Sequence, residues 1–335
     1  MRRGQISFGR FPWLACLIGI AGPLACNAVS GIGDYEFGAA GATATPSGSG
    51  GTGGSGGAGN ASSTGGAAGS VQTGGGGTTG SGGSGGSGGS APTLVDRGLV
   101  VRYHVDEAGS GQGPSELIDA APSPLNLAMT YSPELSFTSA SSNRGLVWTA
   151  AGSQGDGRVS IGGTKFHNSL HGSTAATIEA VVDVSAVGTA GNWHITTVGP
   201  GGNAGDLSLH LTGATSVRLS WRSATNIGTW NVPITTVGRV VLHAVLDTTE
   251  PTATMRTRLY VDGQTAGASS GTPPTLNDTV DLSASTAFVL GNGVGSTTLS
   301  IGGTIFYVAY YSSALSAQEV ATNTALLLSS DDSPP

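Results

Sequence analysis

The sequence predicts an all-β fold, an antiparallel β-sandwich, held behind a long glycine-rich linker. Three observations predict it. From Leu94 onward, apolar residues recur at every second position in short runs, the period of a half-buried strand. Turn residues separate those runs, among them Asp262-Gly263 and Asn292-Gly293. Helix signals are few, and they gather near the C-terminus.

In chain order, Arg2, Arg3 and Arg10 precede an apolar stretch from Phe11 to Ala25, the order of charge and hydrophobicity in a secretory signal peptide. That stretch falls short of the ~20 apolar residues a membrane-spanning helix needs, and Pro12 and Pro23 interrupt it. Cys26 follows Leu24-Ala25, so residues 1–26 resemble a bacterial lipoprotein signal whose cysteine becomes the acylated first residue. The pattern departs at Pro23, where such signals carry a large aliphatic residue. The alternative is ordinary secretion, with cleavage after Ser30. Cys16 lies within the apolar stretch, and no cysteine follows Cys26, so the folded domain has neither a disulfide nor a thiolate metal site.

Residues 27–37 form a short N-terminal segment. Residues 38–92 are nearly all Gly, Ser, Thr and Ala. With little to bury and maximal backbone entropy to lose, that stretch is expected to remain a disordered spacer with a reach of roughly 40 Å. Blocks such as Gly53-Gly54-Ser55-Gly56-Gly57 match the G-x-S-x-G elbow of hydrolases, but the strand-to-helix turn that aims the serine is missing.

The domain is expected over 93–330, with 331–335 as a tail. Its stripes are Leu99, Val101, Tyr103 and Val105; Ile178, Ala180, Val182 and Val184; Leu207, Leu209 and Leu211; Val217, Leu219 and Trp221; Val240, Leu242, Ala244 and Leu246; and Ile305, Tyr307, Ala309 and Tyr311. Ser316-Ala317-Gln318-Glu319 has capping-box spacing ahead of Val320 and Leu326 to Leu328, which predicts one short C-terminal helix.

These residues carry a resemblance to the laminin-G-like, concanavalin A-like jelly rolls. Thr177 to Val182 resembles an early strand of that family. Val240 to Asp247 followed by Arg258-Leu259-Tyr260-Val261-Asp262-Gly263 resembles its histidine-bearing strand and "LYVDG" hairpin. Phe288 to Gly291, Gly303 to Tyr311 and Ala314 to Val320 resemble its final strands and closing turn. Gly238-Arg239 departs from the family where a tryptophan often precedes the histidine strand. The resemblance implies that the first and last strands lie together, which protects sheet edges. Some relatives of this fold bind calcium at the sandwich rim and others need no cofactor; Asp156, Asp206, Asp247 and Asp281 stand in or near expected loops and could supply such ligands, although they form no compact calcium-binding motif.

Thirteen basic residues face twenty acidic ones, and three of the basic ones are in the leader. This acidic balance, without a basic run, excludes nucleic acid and a basic lipid-headgroup surface as partners. Some jelly rolls cleave glycans with paired carboxylates roughly 5 to 9.5 Å apart. Glu179 and Asp183, four apart on one strand, would be separated by about 13 to 14 Å, so they are assigned to a solvated outer face and no catalytic residue is assigned. His167 and His171 have helical metal spacing, but the glutamate of H-E-x-x-H is absent, and Gly172-Ser173 places them in a polar loop. His243 is expected to be packed or hydrogen-bonded; His104, His194 and His210 are expected at the surface. Trp193, Trp221, Trp230 and Tyr131 offer aromatic faces to a sugar, or packing to the core.

The expected function is therefore that of a cell-envelope binding or adhesion protein, not an enzyme. Its partners would be a glycan or an extracellular protein, and the membrane through a lipid on Cys26. Asn27, where an aspartate would signal inner-membrane retention, points to the outer membrane. The competing readings are a polysaccharide-degrading enzyme of the same fold and a passive surface coat.

Overall fold

The computed structural model describes residues 93–332 apart from 108–111, 139–143, 185–190, 200–204, 214–215, 225–226, 235–237 and 267–270. Cys16, Cys26, the leader and the linker lie outside the described residues. Strands and helices are numbered in chain order. One sheet runs β14 (Gln264–Thr265), β13 (Thr257–Val261), β12 (Arg239–Asp247), β7 (Ala175–Asp183), β16 (Thr304–Tyr311), β5 (Gly145–Trp148), β4 (Leu135–Thr138), with β1 (Leu99–Tyr103) also paired to β16. The other runs β11 (Ile227–Pro233), β10 (Ser216–Arg222), β9 (Leu207–Thr212), β8 (Asn192–Val198), β15 (Ala287–Leu290), β6 (Asp156–Ser160), β3 (Leu127–Thr130), β2 (Glu116–Leu117). The strand pairs of both sheets are antiparallel. The predicted antiparallel β-sandwich is the observed fold.

The alternating stripes build the core between the sheets. Ile178, Ala180 and Val182 of β7, and Val240, Leu242, Ala244 and Leu246 of β12, point inward to meet Leu207, Leu209 and Leu211 of β9 and Val217, Leu219 and Trp221 of β10. Each fully buried side chain of this kind contributes about 1.5–3 kcal/mol. Trp221 and Trp230 belong to this core. Gly291 is confined by it, because with φ at +84° a Cβ there would stand 2.1 Å from the Trp148 ring.

The first and last strands pair as the resemblance implied, Arg102 opposite Ala309 and Tyr103 opposite Val308. β16 nevertheless lies inside its sheet, with β7 along its other side, and the ordered sheet path ends at β14 and β4. Asp262-Gly263 turns β13 into β14 as a two-residue hairpin. Both residues have positive φ, +49° and +76°, the requirement of a type I′ turn.

The predicted terminal helix is α2 (Ala317–Ser329), and Ser316 and Glu319 form the reciprocal capping box. It covers the outward face of β7, β12 and β16, where Val181, Val241, Val245, Tyr307 and Tyr311 make a second apolar layer with Val320 and Leu327. A six-residue helix, α1 (Lys165–Leu170), occupies the segment assigned from sequence to a loop, with Phe166 and Leu170 buried against the sandwich. Among the described residues, no helix is long and apolar enough to cross a membrane.

Candidate functional site

The two sheets differ on their outward faces. One is apolar and roofed by α2; the other, on β8 to β11, is polar. Because Leu207, Leu209 and Leu211 point inward, Ser208 and His210 must point outward, and the same alternation turns Arg218, Ser220 and Arg222 of β10 and Thr229 and Asn231 of β11 to that face. A register shift between His194 and Thr196 brings Thr197 opposite Ser208.

Registered across the sheet, these residues form two rows. The first is Asn231, Arg218, His210 and His194, each opposite the next. The second is Thr229, Ser220, Ser208 and Thr197, continuing to Val289 and Arg158. Opposed side chains on one face lie about 4.5–5.5 Å apart at Cβ, so the two rows make one contiguous patch. Ser300 joins it through a parallel bridge to His194.

The imidazoles of His194 and His210 stack with centroids 5.0 Å apart. His194 Nδ1 bonds Thr197 Oγ1. Burial pushes His194 down to about 4, and burial, then the neighbouring His194 and Arg218, pushes His210 well below the ordinary histidine value. Both rings are therefore neutral at pH 7, each offering one donor and one acceptor nitrogen. Half-buried Arg218 donates from Nε to Asn231 Oδ1 at 2.6 Å and from Nη1 to Asn192 Oδ1 at 3.1 Å. At the other end, Arg222 is paired with Asp206 and Arg158 with Asp156.

Much of the floor of this patch is unsatisfied. His194 Nε2, both nitrogens of His210, and the hydroxyls of Ser208, Ser220 and Ser300 are buried without a hydrogen-bond partner among the described residues. At about 1–3 kcal/mol each, such losses in one place rival the 5–15 kcal/mol that a typical domain has in total. Buried polar groups are normally paired, so these atoms are polar groups whose partners the described residues do not supply. Asn192, Thr212, Arg218, Thr229 and Asn231 make the accessible margin of this face. Next to Ser300, a depression of about 360 Å³ is lined by residues including Glu134, Gly152, Ser153, Gln154 and Thr298. Gly152 N donates to Ser300 O, and a Cβ on Gly152 would lie 3.5 Å from the Trp193 ring.

Several sequence expectations are corrected here. His104, His194 and His210 are buried, because alternation correctly places a side chain on an outward face but does not reveal what covers that face. The same holds for Glu179, expected in solvent. It is 0% exposed on the face roofed by α2. Its Oε1 lies 2.7 Å from His243 Nε2, and its Oε2 accepts from the hydroxyls of Tyr307 and Tyr311 at 3.0 and 2.8 Å. Arg102 donates to both tyrosine hydroxyls, and Asn323 of α2 donates to that of Tyr311. Burial alone would raise the Glu179 carboxyl; His243 and the two hydroxyls outweigh it and hold it below the ordinary carboxylate value. Enclosed and bonded at both oxygens, Glu179 fastens the helix side of the sandwich. His243 is hydrogen-bonded, as expected.

His167 and His171 stack at 4.8 Å, but His167 Nε2 faces Leu282 O and His171 Nδ1 accepts from Leu282 N. Of the aspartates considered for calcium, Asp156 and Asp206 pair with arginines, Asp247 accepts from Thr249, and Asp281 lies 3.6 Å from His171. Among the described residues, no group of three or more His, Cys, Asp or Glu side chains is placed to hold a metal. Trp193 and Tyr131 are half-buried, the latter donating to Pro114 O.

Residues 153–321 match the family described as the concanavalin A-like lectin/glucanases superfamily, in its Laminin_G_3 form. The chain belongs to this superfamily. Among solved structures it is similar to a Trypanosoma rangeli sialidase bound to a difluorinated ketodeoxynononic acid, with 18% identity and a TM-score of 0.46 over 71% of this chain and 34% of that one. It is also similar to botulinum neurotoxin type C, which depends on two ganglioside molecules to enter cells, with 8% identity and a TM-score of 0.50 over 69% and 51%. The binding domain of botulinum neurotoxin DC, bound to rat synaptotagmin II, gives 8% and 0.50 over 69% and 52%. The superfamily member thus spans about a third of the sialidase chain and about half of the toxin chains. No curated protein sequence matches it.

The expectation that the chain is not an enzyme is withdrawn. Its superfamily is described as taking in glucanases as well as lectins. The carboxylate-spacing test behind that expectation considered one straight strand, whereas Glu179, His243 and Tyr307 meet from three.

Proposed function

We propose that this protein is exported and tethered through a lipid on Cys26, and that its domain recognises a glycan on the polar face of β8 to β11. The carrying observation is the accessible polar margin of Asn192, Thr212, Arg218, Thr229 and Asn231, which frames the buried, unpartnered groups of Ser208, Ser220, His194 and His210. Sugar hydroxyls both donate and accept, so they complement amide and threonine hydroxyl groups better than an ion or an apolar side chain would.

Support from the superfamily is consistent with this reading, since its description includes lectins. A glycan array probed with the full chain tests it. A bound glycan whose affinity falls roughly 10-fold or more in Thr212→Val and Thr229→Val, the loss expected for one or two hydrogen bonds, supports the site. No glycan bound above background, or binding untouched by both substitutions, overturns it; capture of a protein ligand instead would move the function to protein recognition.

A further inference from the structure

The polar face contains one charge without a counter-charge. Of its three arginines, Arg158 and Arg222 are held by Asp156 and Asp206. Arg218 is fixed by two neutral amide oxygens, those of Asn231 and Asn192, and among the described residues no carboxylate forms an ion pair with it.

The primary structure extends that statement to the neighbouring loops. From Val184 to Leu246 the one acidic residue is Asp206, already committed to Arg222. No loop joining β8, β9, β10 and β11 contains a second Asp or Glu. In a chain with a formal net charge of −7, this is a local exclusion of negative charge around one guanidinium. Elsewhere on the domain, Arg97, Arg102, Arg144 and Arg239 have carboxylate partners, Arg256 is held by three backbone carbonyls, and Arg258 of β13 likewise has no ion pair among the described residues.

Two asparagines holding a guanidinium orient its planar donor fork without neutralising it. The partial burial of Arg218 disfavours its charge and lowers its pKa, and the protein supplies no anion to offset this. An incoming oxyanion would do so, and Arg218 stands directly opposite His210 in the first row of the glycan face.

We propose that the ligand is an acidic glycan, its carboxylate or sulfate seated on Arg218 while ring hydroxyls meet the accessible margin at Asn192, Thr212, Thr229 and Asn231. This deepens the glycan-binding reading and rests on it. The shared chemistry is an oxyanion carried by a hydroxylated ring; uronic acids, sialic acids and sulfated sugars are its sources.

The test uses the full chain on an array in which each acidic glycan is paired with its neutral counterpart: uronates with their methyl esters, sialosides with the asialo forms, and sulfated glycans with the desulfated forms. At low salt, at least one acidic member is expected to bind roughly 10-fold to 100-fold more tightly than its neutral partner, the range for a hydrogen bond to a charged group. The type of pair showing the preference identifies the source of the anion. Raising salt should erode the preference. Arg218→Gln should remove the preference, lowering affinity for the acidic member far more than for its neutral partner, and Arg218→Lys should keep part of it, a point charge replacing a fork. Equal binding of every acidic and neutral pair overturns the inference and leaves glycan recognition standing. An Arg218→Gln variant that loses both forms equally also overturns it, by making Arg218 a support for the fold. Should Arg218→Gln fail to fold, the wild-type comparison of paired glycans across salt decides alone. Binding of neither form anywhere on the array overturns both readings together.

Discussion

At the scale of the residue, the domain stores neutral imidazoles in places where water does not reach. His104, His194 and His210 all have pKa values lowered chiefly by burial, His194 from 6.5 to about 4. The unfolded chain therefore binds more protons than the folded one below about pH 6.5, and stability must fall as pH drops from there toward 4. Each such histidine contributes up to ~1.4 kcal/mol per pH unit inside that window. The raised carboxyls of Asp206 and Asp331 act in the opposite sense. The decisive measurement is therefore a comparison: urea midpoints near pH 7 and near pH 5 for wild type and for the His194→Gln, His210→Gln double variant. The wild-type midpoint is expected to drop by more, and an equal drop would show that the pair does not carry the effect. The sequence located these histidines on outward-facing positions, yet their burial came from whatever lies over the sheet, which period-two alternation does not encode.

At the scale of the element, the best-founded expectation was α2, since its start is written in a local motif. Ser316 Oγ accepts from Glu319 N, and Glu319 Oε2 accepts from Ser316 N. Arg97 adds a bidentate bond to the same carboxylate and, as the largest cause, pulls Glu319 down to about 2. Ser316→Ala should cost about 1 kcal/mol, the usual cost of losing an N-cap. Hydrogen exchange should quicken in the first turn of α2 before it does in β7 or β12, whose ladder runs unbroken from Arg239 opposite Asp183 to Asp247 opposite Ala175. Uniform quickening across the domain would mean that the helix and the sheet open only together. By contrast α1 was assigned to a loop, because six residues carry too little periodicity to announce a helix. It is the burial of Phe166 and Leu170 that stabilises it.

At the scale of the whole molecule, the design is a sandwich with one roofed face and one polar face, joined in sequence to the glycine-rich stretch and the proposed leader. The tether predicts a cell-fractionation result. The wild-type protein should follow the membrane fraction, and Cys26→Ser should move it to the soluble fraction without altering the domain's thermal midpoint. Equal partition of the two would remove the lipid anchor and favour cleavage after Ser30. The polar face, with Arg218 at its margin, would then be delivered as a secreted domain.

The sequence by itself determined the strand stripes, the Asp262-Gly263 turn, the capped helix and the family, because each is a local pattern or a string of adjacent residues. Its alternation also assigned the correct side of the sheet to Glu179, Ser208 and His210. What only the tertiary structure decided was which side is covered, and by what. Glu179 meets His243, Tyr307 and Tyr311, and through the tyrosines Arg102, from three other strands, with α2 laid over them. His210 meets His194 and Arg218 by sheet register. Such meetings depend on non-local pairing between strands far apart in the chain, and the periodicity of any one strand carries no information about its neighbours.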